Sequence, residues 1–228
     1  VGVGVPTICA GRTDAGVHAT SQVVHLDSPV TRSQGAWVRG LNSLLPESIA
    51  VQWAADVSDE FHARVSATAR SNTYVIANTP VRQPLLAGRA GWSFRPLDVH
   101  QMQAGADLLV GEHDFSSFRS SQCQAPNPIR NMHNLQVERR SHLVFVHLKA
   151  NAFLHHMVRN IVGELVLLGQ GKTDLSHVQR ILDARDRTQA APTFSASGLY
   201  LTGVTYPAEL LPNHSGCIDS LFTGLEAL

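Results

Sequence analysis

Two neighbouring runs, Leu135–Glu138 and Leu143–Ala150, alternate apolar and polar residues, and an apolar stretch from Phe153 to Leu168 follows at once and closes on Gly169. A period of two reads as paired, half-buried strands, and an apolar stretch of that length ending on glycine reads as a long helix. Short strands are also expected at Thr7–Cys9, Gln22–Leu26, Ile49–Trp53, Thr73–Ala77 and Leu199–Tyr206. Ser33 can cap a helix carrying Trp37, Leu41 and Leu44 that ends at Pro46. Asp98 can cap a second, running to Val110 with Gly111 as its stop, and Leu175–Ala184 is amphipathic. Glu112–Pro128 reads as a loop. Adjacent strands with intervening helices predict an α+β fold with a mixed, mostly antiparallel sheet flanked by helices. The Pro/Gly/Arg segment between Pro80 and Pro96 reads as a connection, which divides the chain into an N-terminal lobe at 1–80 and a C-terminal lobe at 81–228.

With 228 residues, 43% apolar and 16% charged, the chain has the profile of a globular protein, not of a fibre, coiled coil or disordered tail. Folding at this length buries roughly 70% of the surface of the unfolded chain, so neither metal nor disulfide is needed to hold a core. Cys9, Cys123 and Cys217 are odd in number and lack CxxC spacing, which suggests neither a disulfide framework nor a cysteine zinc site. No apolar run reaches the length of a membrane span and no signal-peptide pattern opens the chain, so a cytoplasmic protein with no membrane partner is expected. Val1 is not a methionine, and Val-Gly-Val-Gly-Val leads directly into the first expected strand; a truncated front is the expectation.

Eighteen Lys+Arg balance eighteen Asp+Glu, but the charges are not evenly spread. No acid occurs from Phe61 to Leu97, where Arg64, Arg70, Arg82, Arg89 and Arg95 fall, and none from Arg139 to Gly163. Lys149 and Lys172 are the only lysines. An arginine-rich face suits phosphate, because the guanidinium fork matches phosphate oxygens, although a GC-rich genome would produce the same skew.

Four places could carry chemistry. Asp14 sits in the loop Ala10–Gly16, flanked by glycines and two residues after Arg12. A nearby cation stabilises the ionised form that a carboxylate nucleophile needs, while the plain alternative is an Asp-Ala-Gly turn whose carboxylate caps backbone amides. Arg159, in the apolar stretch, needs an anionic partner if it is buried, and Asp14 could supply it; the alternative is an arginine snorkelling from the helix edge. His155 and His156 are expected on different helix faces, without metal-ligand spacing. Arg70-Ser-Asn72-Thr-Tyr74 places an aromatic ring beside arginine, suited to a base or simply to the core. Gly111–Arg119 pairs two phenylalanines with polar residues, and cleft lining and packing explain it equally well.

Taken together, Gly11-Arg-Thr-Asp-Ala-Gly-Val-His-Ala19, Phe61-His-Ala-Arg64, Gly111-Glu-His-Asp-Phe-Ser-Ser-Phe-Arg119, Phe153-Leu-His-His-Met-Val-Arg-Asn160 and Gly198-Leu-Tyr-Leu201 closely resemble, in order and over nearly the whole chain, the TruA family of tRNA pseudouridine synthases. The resemblance implies the pseudouridine synthase fold, with two lobes around a basic cleft, and isomerisation of uridine in the anticodon arm of tRNA by a homodimer. It implies Asp14 as nucleophile, Arg159 as its ion-pair partner and Arg12 at the displaced nucleotide. Arg64, Arg70 and the arginines up to Arg95 are then candidates for backbone contacts. The reaction breaks the N1–C1′ bond and rejoins the base through C5 with no net redox change, so no cofactor and no metal is expected.

Two departures accompany the resemblance. The family's Arg-x-Tyr-x-Tyr run stacks its first tyrosine on the target uracil; here Asn72 stands in that position and Tyr74 matches the second tyrosine. Base stacking on an aromatic ring contributes roughly 1–3 kcal/mol. The Tyr-Asp-Gly and Gly-Trp-Gln motifs that open family members do not occur in this chain. A tRNA-binding protein of the same fold with impaired catalysis is therefore the competing reading, and a metal-dependent hydrolase, suggested only by twelve histidines, a distant one.

Overall fold

The computed structural model describes residues 4–211. Its strands are β1 (Ile8–Cys9), β2 (His18–Ala19), β3 (Val24–His25), β4 (Ala69–Asn78), β5 (Gly91–Ser93), β6 (Gly111–Asp114), β7 (Ile129–Arg140), β8 (Leu143–Ala150) and β9 (Leu199–Thr205). The helices are α1 (Gln34–Asn42), α2 (Val99–Asp107), α3 (Met157–Gly169) and α4 (Leu175–Ala184). Six strands form the main sheet in the order β2-β9-β4-β8-β7-β6; β5 joins it alongside the far end of β4, and β1 and β3 make a separate antiparallel pair. Pairings are antiparallel except β2 with β9 and β4 with β5. This is the expected α+β arrangement with a mixed, mostly antiparallel sheet. Strands from before and after Pro80 share this sheet, with β4 between β8 and β9.

The pleat explains the core. Tyr74 and Ile76 of β4, with Val144, Val146 and Leu148 of β8, point to one face and pack with α2, α3 and α4. Val75 and Ala77, with Leu143 and Phe145, point to the other face and meet Trp92, Leu86 and Tyr200. Helix α3 is apolar nearly all round and buries most of its residues, as a helix between a sheet and two neighbours must. Asp98 and Asp174 accept hydrogen bonds from amides of the first turns of α2 and α4, as helix caps do.

Several expectations need correction. Ile49–Trp53 is not a strand: both backbone polar groups of Val51 are taken by the side-chain amide of Asn42, at 2.7 and 2.8 Å, so no ladder forms there. The 112–128 segment is not all loop, because Gly111–Asp114 pairs with Ile129–Met132. Most consequential, α3 starts at Met157 and not at Phe153, since His156 adopts left-handed backbone (φ 64°) at its N-cap. Cys217 lies outside the described residues.

Gly198 marks where close packing leaves no room for a side chain. A Cβ there would lie 2.4 Å from Val75 O, 2.5 Å from the Tyr74 ring and 2.6 Å from Gly91 N. Two of those neighbours are backbone and cannot step aside. Gly198→Ala is expected to destabilise the protein by about 2–3 kcal/mol through overpacking, measured by urea unfolding; a change below about 0.5 kcal/mol would refute this account of the position.

Candidate active site

The Asp14 loop is clamped at both ends. Before it, Ala10 N donates to Val23 O, and the Gln22 side chain pairs with both the N–H and the C=O of Gly11, at 3.3 and 2.7 Å. After it, β2 pairs with β9, the His18 ring stacks on Tyr200 at 4.8 Å, and Thr20 N donates to Leu201 O. Between the clamps Val17 N donates to Asp14 O across a turn whose third residue, Gly16, has φ +80°, a value that favours glycine. The turn thus closes through backbone atoms, and the carboxylate is free to point elsewhere.

It points at the start of α3. Arg159 Nη1 donates to Asp14 Oδ2 at 3.0 Å, His155 Nε2 lies 3.1 Å from Oδ1, and His156 Nε2 lies 3.2 Å from Oδ2. The guanidinium can only donate to Oδ2, and the His155 ring nitrogen shares a hydrogen bond with Oδ1. Of the two readings of Asp14, capping of turn amides is not what the geometry shows. Arg159 is not a snorkelling residue either: its side chain is 16% exposed, and Nε donates to Phe194 O at 2.9 Å while Phe194 N returns a bond to Arg159 O. Asp14 keeps 24% of its side chain exposed, so the carboxylate is held firmly at a surface a ligand can reach.

The histidines are the part of this site that spacing misplaced. Because the helix begins after them and His156 is left-handed, the two rings lie 3.9 Å apart and both face Asp14. The signal was there in hindsight: two polar rings beside an arginine in an apolar run need a shared acceptor. Asp14, His155 and His156 bring donor atoms within 4.8 Å of one another, a spacing a metal ion could use. The guanidinium on the same carboxylate opposes it, because a cation there would compete with a fixed positive charge at 3.0 Å.

Desolvation lowers the pKa of His156 from its ordinary 6.5, against the pull of Asp14, with His155 and the arginines adding repulsion. The unfolded chain then takes up the proton more readily than the folded one, so stability falls as pH drops through 6.5 and is fully reduced below the folded pKa. A urea-unfolding series across pH is expected to show this loss and to show less of it in His156→Gln; identical pH slopes would contradict it.

The remaining predicted residues divide sharply. Arg12 is exposed and makes no hydrogen bond or ion pair among the described residues. Arg70 is spent on backbone carbonyls of Ala67, Asn151, Ala10 and Arg64, and Arg64 reaches Cys9 O, so both brace the loop's footing. Tyr74 is fully buried, donates its hydroxyl to Ser195 O at 2.6 Å, and has its pKa raised by burial. Asn72 shares its sheet face with Leu148 and Leu201, and Leu201 is the neighbour of Gly11, so Asn72 lies on the face the aspartate loop covers.

A family model for tRNA pseudouridine synthase matches residues 106–207. The chain is 55% identical over 222 residues to tRNA pseudouridine synthase A of Bordetella petrii, covering 96% of this chain and 83% of that protein. It is 54% identical to the protein of that name from Janthinobacterium sp., over 89% of this chain and 77% of the other, and 52% identical to that of Paraburkholderia xenovorans, over 90% and 76%. The chain belongs to the tRNA pseudouridine synthase A family. Its family motifs now have structural reasons. Phe61 and Ala63 pack against Ala10 and Val23 beneath the aspartate loop, and Ala63 O accepts the Tyr206 hydroxyl, whose pKa is raised by burial to about 12. Phe115 and Phe118 fill the main core, and Phe118 O accepts from Asn160, the buried neighbour of Arg159. Among the described residues, no helix is long and apolar enough to cross a membrane.

Proposed function

We propose that the chain isomerises uridine to pseudouridine in the anticodon arm of tRNA, with Asp14 as nucleophile, Arg159 as its ion-pair partner and no cofactor. The observation that carries this reading is the Asp14 carboxylate, partly exposed yet held by one guanidinium and two imidazoles on a glycine-closed turn. Orientation of this kind lets a carboxylate either add to C6 of the uracil or assist departure of the base from C1′; both routes begin from the same ionised oxygen. The N1–C1′ bond breaks, the base turns, C5 bonds to C1′, the hydrogen on C5 leaves as a proton, and N1 takes up a proton, so the product is an isomer of uridine. The target nucleotide must leave its stack, at a cost of a few kcal/mol, before it reaches that oxygen.

Arg12, unpaired among the described residues and within the carboxylate loop, suits the displaced nucleotide, and Asn72, 8% exposed, stands where the family resemblance places a stacking tyrosine and offers an amide to a uracil edge. Tyr74 serves by fixing Ser195 and the segment that holds Arg159. Arg64 and Arg70 act through the loop they brace. The enzyme works in the cytoplasm as a homodimer with the RNA lying across both subunits, a reading carried by the family resemblance; sedimentation of a monomer, alone and with tRNA, would overturn it.

Tritium release from C5-labelled uridine in unmodified tRNA tests the activity directly, since C5 must lose its hydrogen. Release by this chain is expected. Binding of tRNA without release by the chain, but with release by Asn72→Tyr, would favour the impaired binder that Asn72 suggests.

A further inference from the structure

A wide, open cavity of about 350 Å³, lined by Ser116, Arg119, Ser120, Arg185, Asp186 and Arg187, adjoins the segment that carries His155 through the bond from Ser120 N to His155 O. We infer that it is a phosphate subsite, holding a backbone phosphodiester of the RNA strand close to the displaced uridine. The inference rests on the proposed reaction and adds to it the residues that grip the strand.

Charge is the first argument. Three guanidiniums line the cavity, and Arg130 stands close enough to Arg119 for the two charges to repel. The one lining carboxylate, Asp186, already accepts from Thr188 N, Thr188 Oγ1 and Gln189 Nε2. Arg185 meets Asp114 only through Nε at 3.5 Å, with its side chain 68% exposed. Gathering like charges at one concave place costs energy unless an anion completes it.

Free donors are the second argument. Arg119 uses only Nη2, on Cys123 O, and the two terminal nitrogens of Arg185 make no hydrogen bond among the described residues. Arg185 also takes left-handed backbone (φ 51°) at the end of α4, unusual for a non-glycine residue. Ser117, buried beneath, fixes this corner by donating to Ile181 O and accepting from Asp186 N at 2.8 Å. Arginine forks with nearby hydroxyls match phosphate oxygens in geometry as well as charge.

Position is the third. Ser120 N donates to His155 O at 2.9 Å, and Arg187 Nη2 donates to Asn160 Oδ1, so the cavity's walls are bonded to both ends of the 155–160 segment that faces Asp14. A strand delivering its uridine to Asp14 passes this cavity.

Arg119→Gln and Arg185→Gln are the informative variants; Arg187 is avoided because it also holds Asn160 and Thr193. tRNA affinity measured across a salt series is expected to weaken about tenfold in each variant, the cost of losing a charge-assisted bond. The log–log salt slope should shrink by about 1. Methylphosphonate substitution along the anticodon arm should find one position that weakens binding to the parent and not to Arg185→Gln. Unchanged affinity and slope in correctly folded variants, checked by circular dichroism, would overturn the subsite while tritium release by the parent left the reaction standing. Thermal stabilisation of the parent, but not the variants, by inorganic phosphate, with no methylphosphonate effect, would overturn the RNA assignment in favour of a free anion. A parent that neither binds tRNA nor releases tritium would take both readings down.

Discussion

Asp14→Asn is expected to lower tritium release by a factor on the order of 10⁴, the scale seen when a nucleophile is removed and the rest of a site remains. The amide fills the same space and can still accept one donor, so the loop, its Gly16 turn and its Gln22 clamp should persist. What it lacks is an anionic oxygen to attack with. The amide NH₂ would also face either His155 or the Arg159–His156 pair, donor against donor. Binding of tRNA should change by less than about threefold, because the phosphate contacts that dominate affinity lie elsewhere. Retention of most of the activity would remove Asp14 as nucleophile, whereas equal losses of binding and turnover would recast it as a substrate-positioning group.

Arg159→Met should damage activity and stability together. The side chain spans two partners, Asp14 Oδ2 at 3.0 Å and Phe194 O at 2.9 Å, and methionine removes both bonds while preserving most of the volume. Breaking a buried ion pair costs 3–5 kcal/mol, but Asp14 is partly exposed and keeps two histidines, so about 2 kcal/mol is the expected loss on urea unfolding. Turnover should fall about 10²- to 10³-fold, because the carboxylate loses its electrostatic anchor. Arg159→Lys separates the two effects. It keeps the charge yet has no planar fork to serve Asp14 and Phe194 at once, so it should recover more stability than activity. Full recovery of both by lysine would mean that charge alone matters at this position.

Several parts of this architecture were legible because they depend on neighbours in sequence. Period-two alternation located β8 and four of the twelve residues of β7, Asp98 announced α2, the amphipathic pattern of Leu175–Ala184 announced α4, and Gly16 marked the turn that carries Asp14. The strand expected at Ile49–Trp53 failed for a reason no local pattern contains. Asn42 satisfies the Val51 backbone from nine residues away, so that segment has no need of a sheet partner.

The candidate site shows the same division. The chemical types, a carboxylate on a glycine-flanked turn and an arginine stranded in an apolar run, can be read from the sequence, because a buried charge demands a counter-charge wherever it lies. The partner choice cannot: Asp14 and Arg159 are 145 residues apart, and the pairing of β2 with β9 on one side and the bonds between Arg159 and Phe194 on the other hold them at 3.0 Å. Helical periodicity sent His155 and His156 to different faces, and one left-handed residue at the start of α3 put both on Asp14. The acid-free arginine stretches likewise suggested a basic face, but tertiary contacts decided which arginines are spent on carbonyls, as Arg70 is, and which keep open donors among the described residues, as Arg12 and the terminal nitrogens of Arg185 do. Residue type alone settled which chemical groups are available and most of the regular elements, since these follow from short-range geometry. Tertiary structure alone decided which groups meet and which donors stay open, since long-range packing sets every distance between segments.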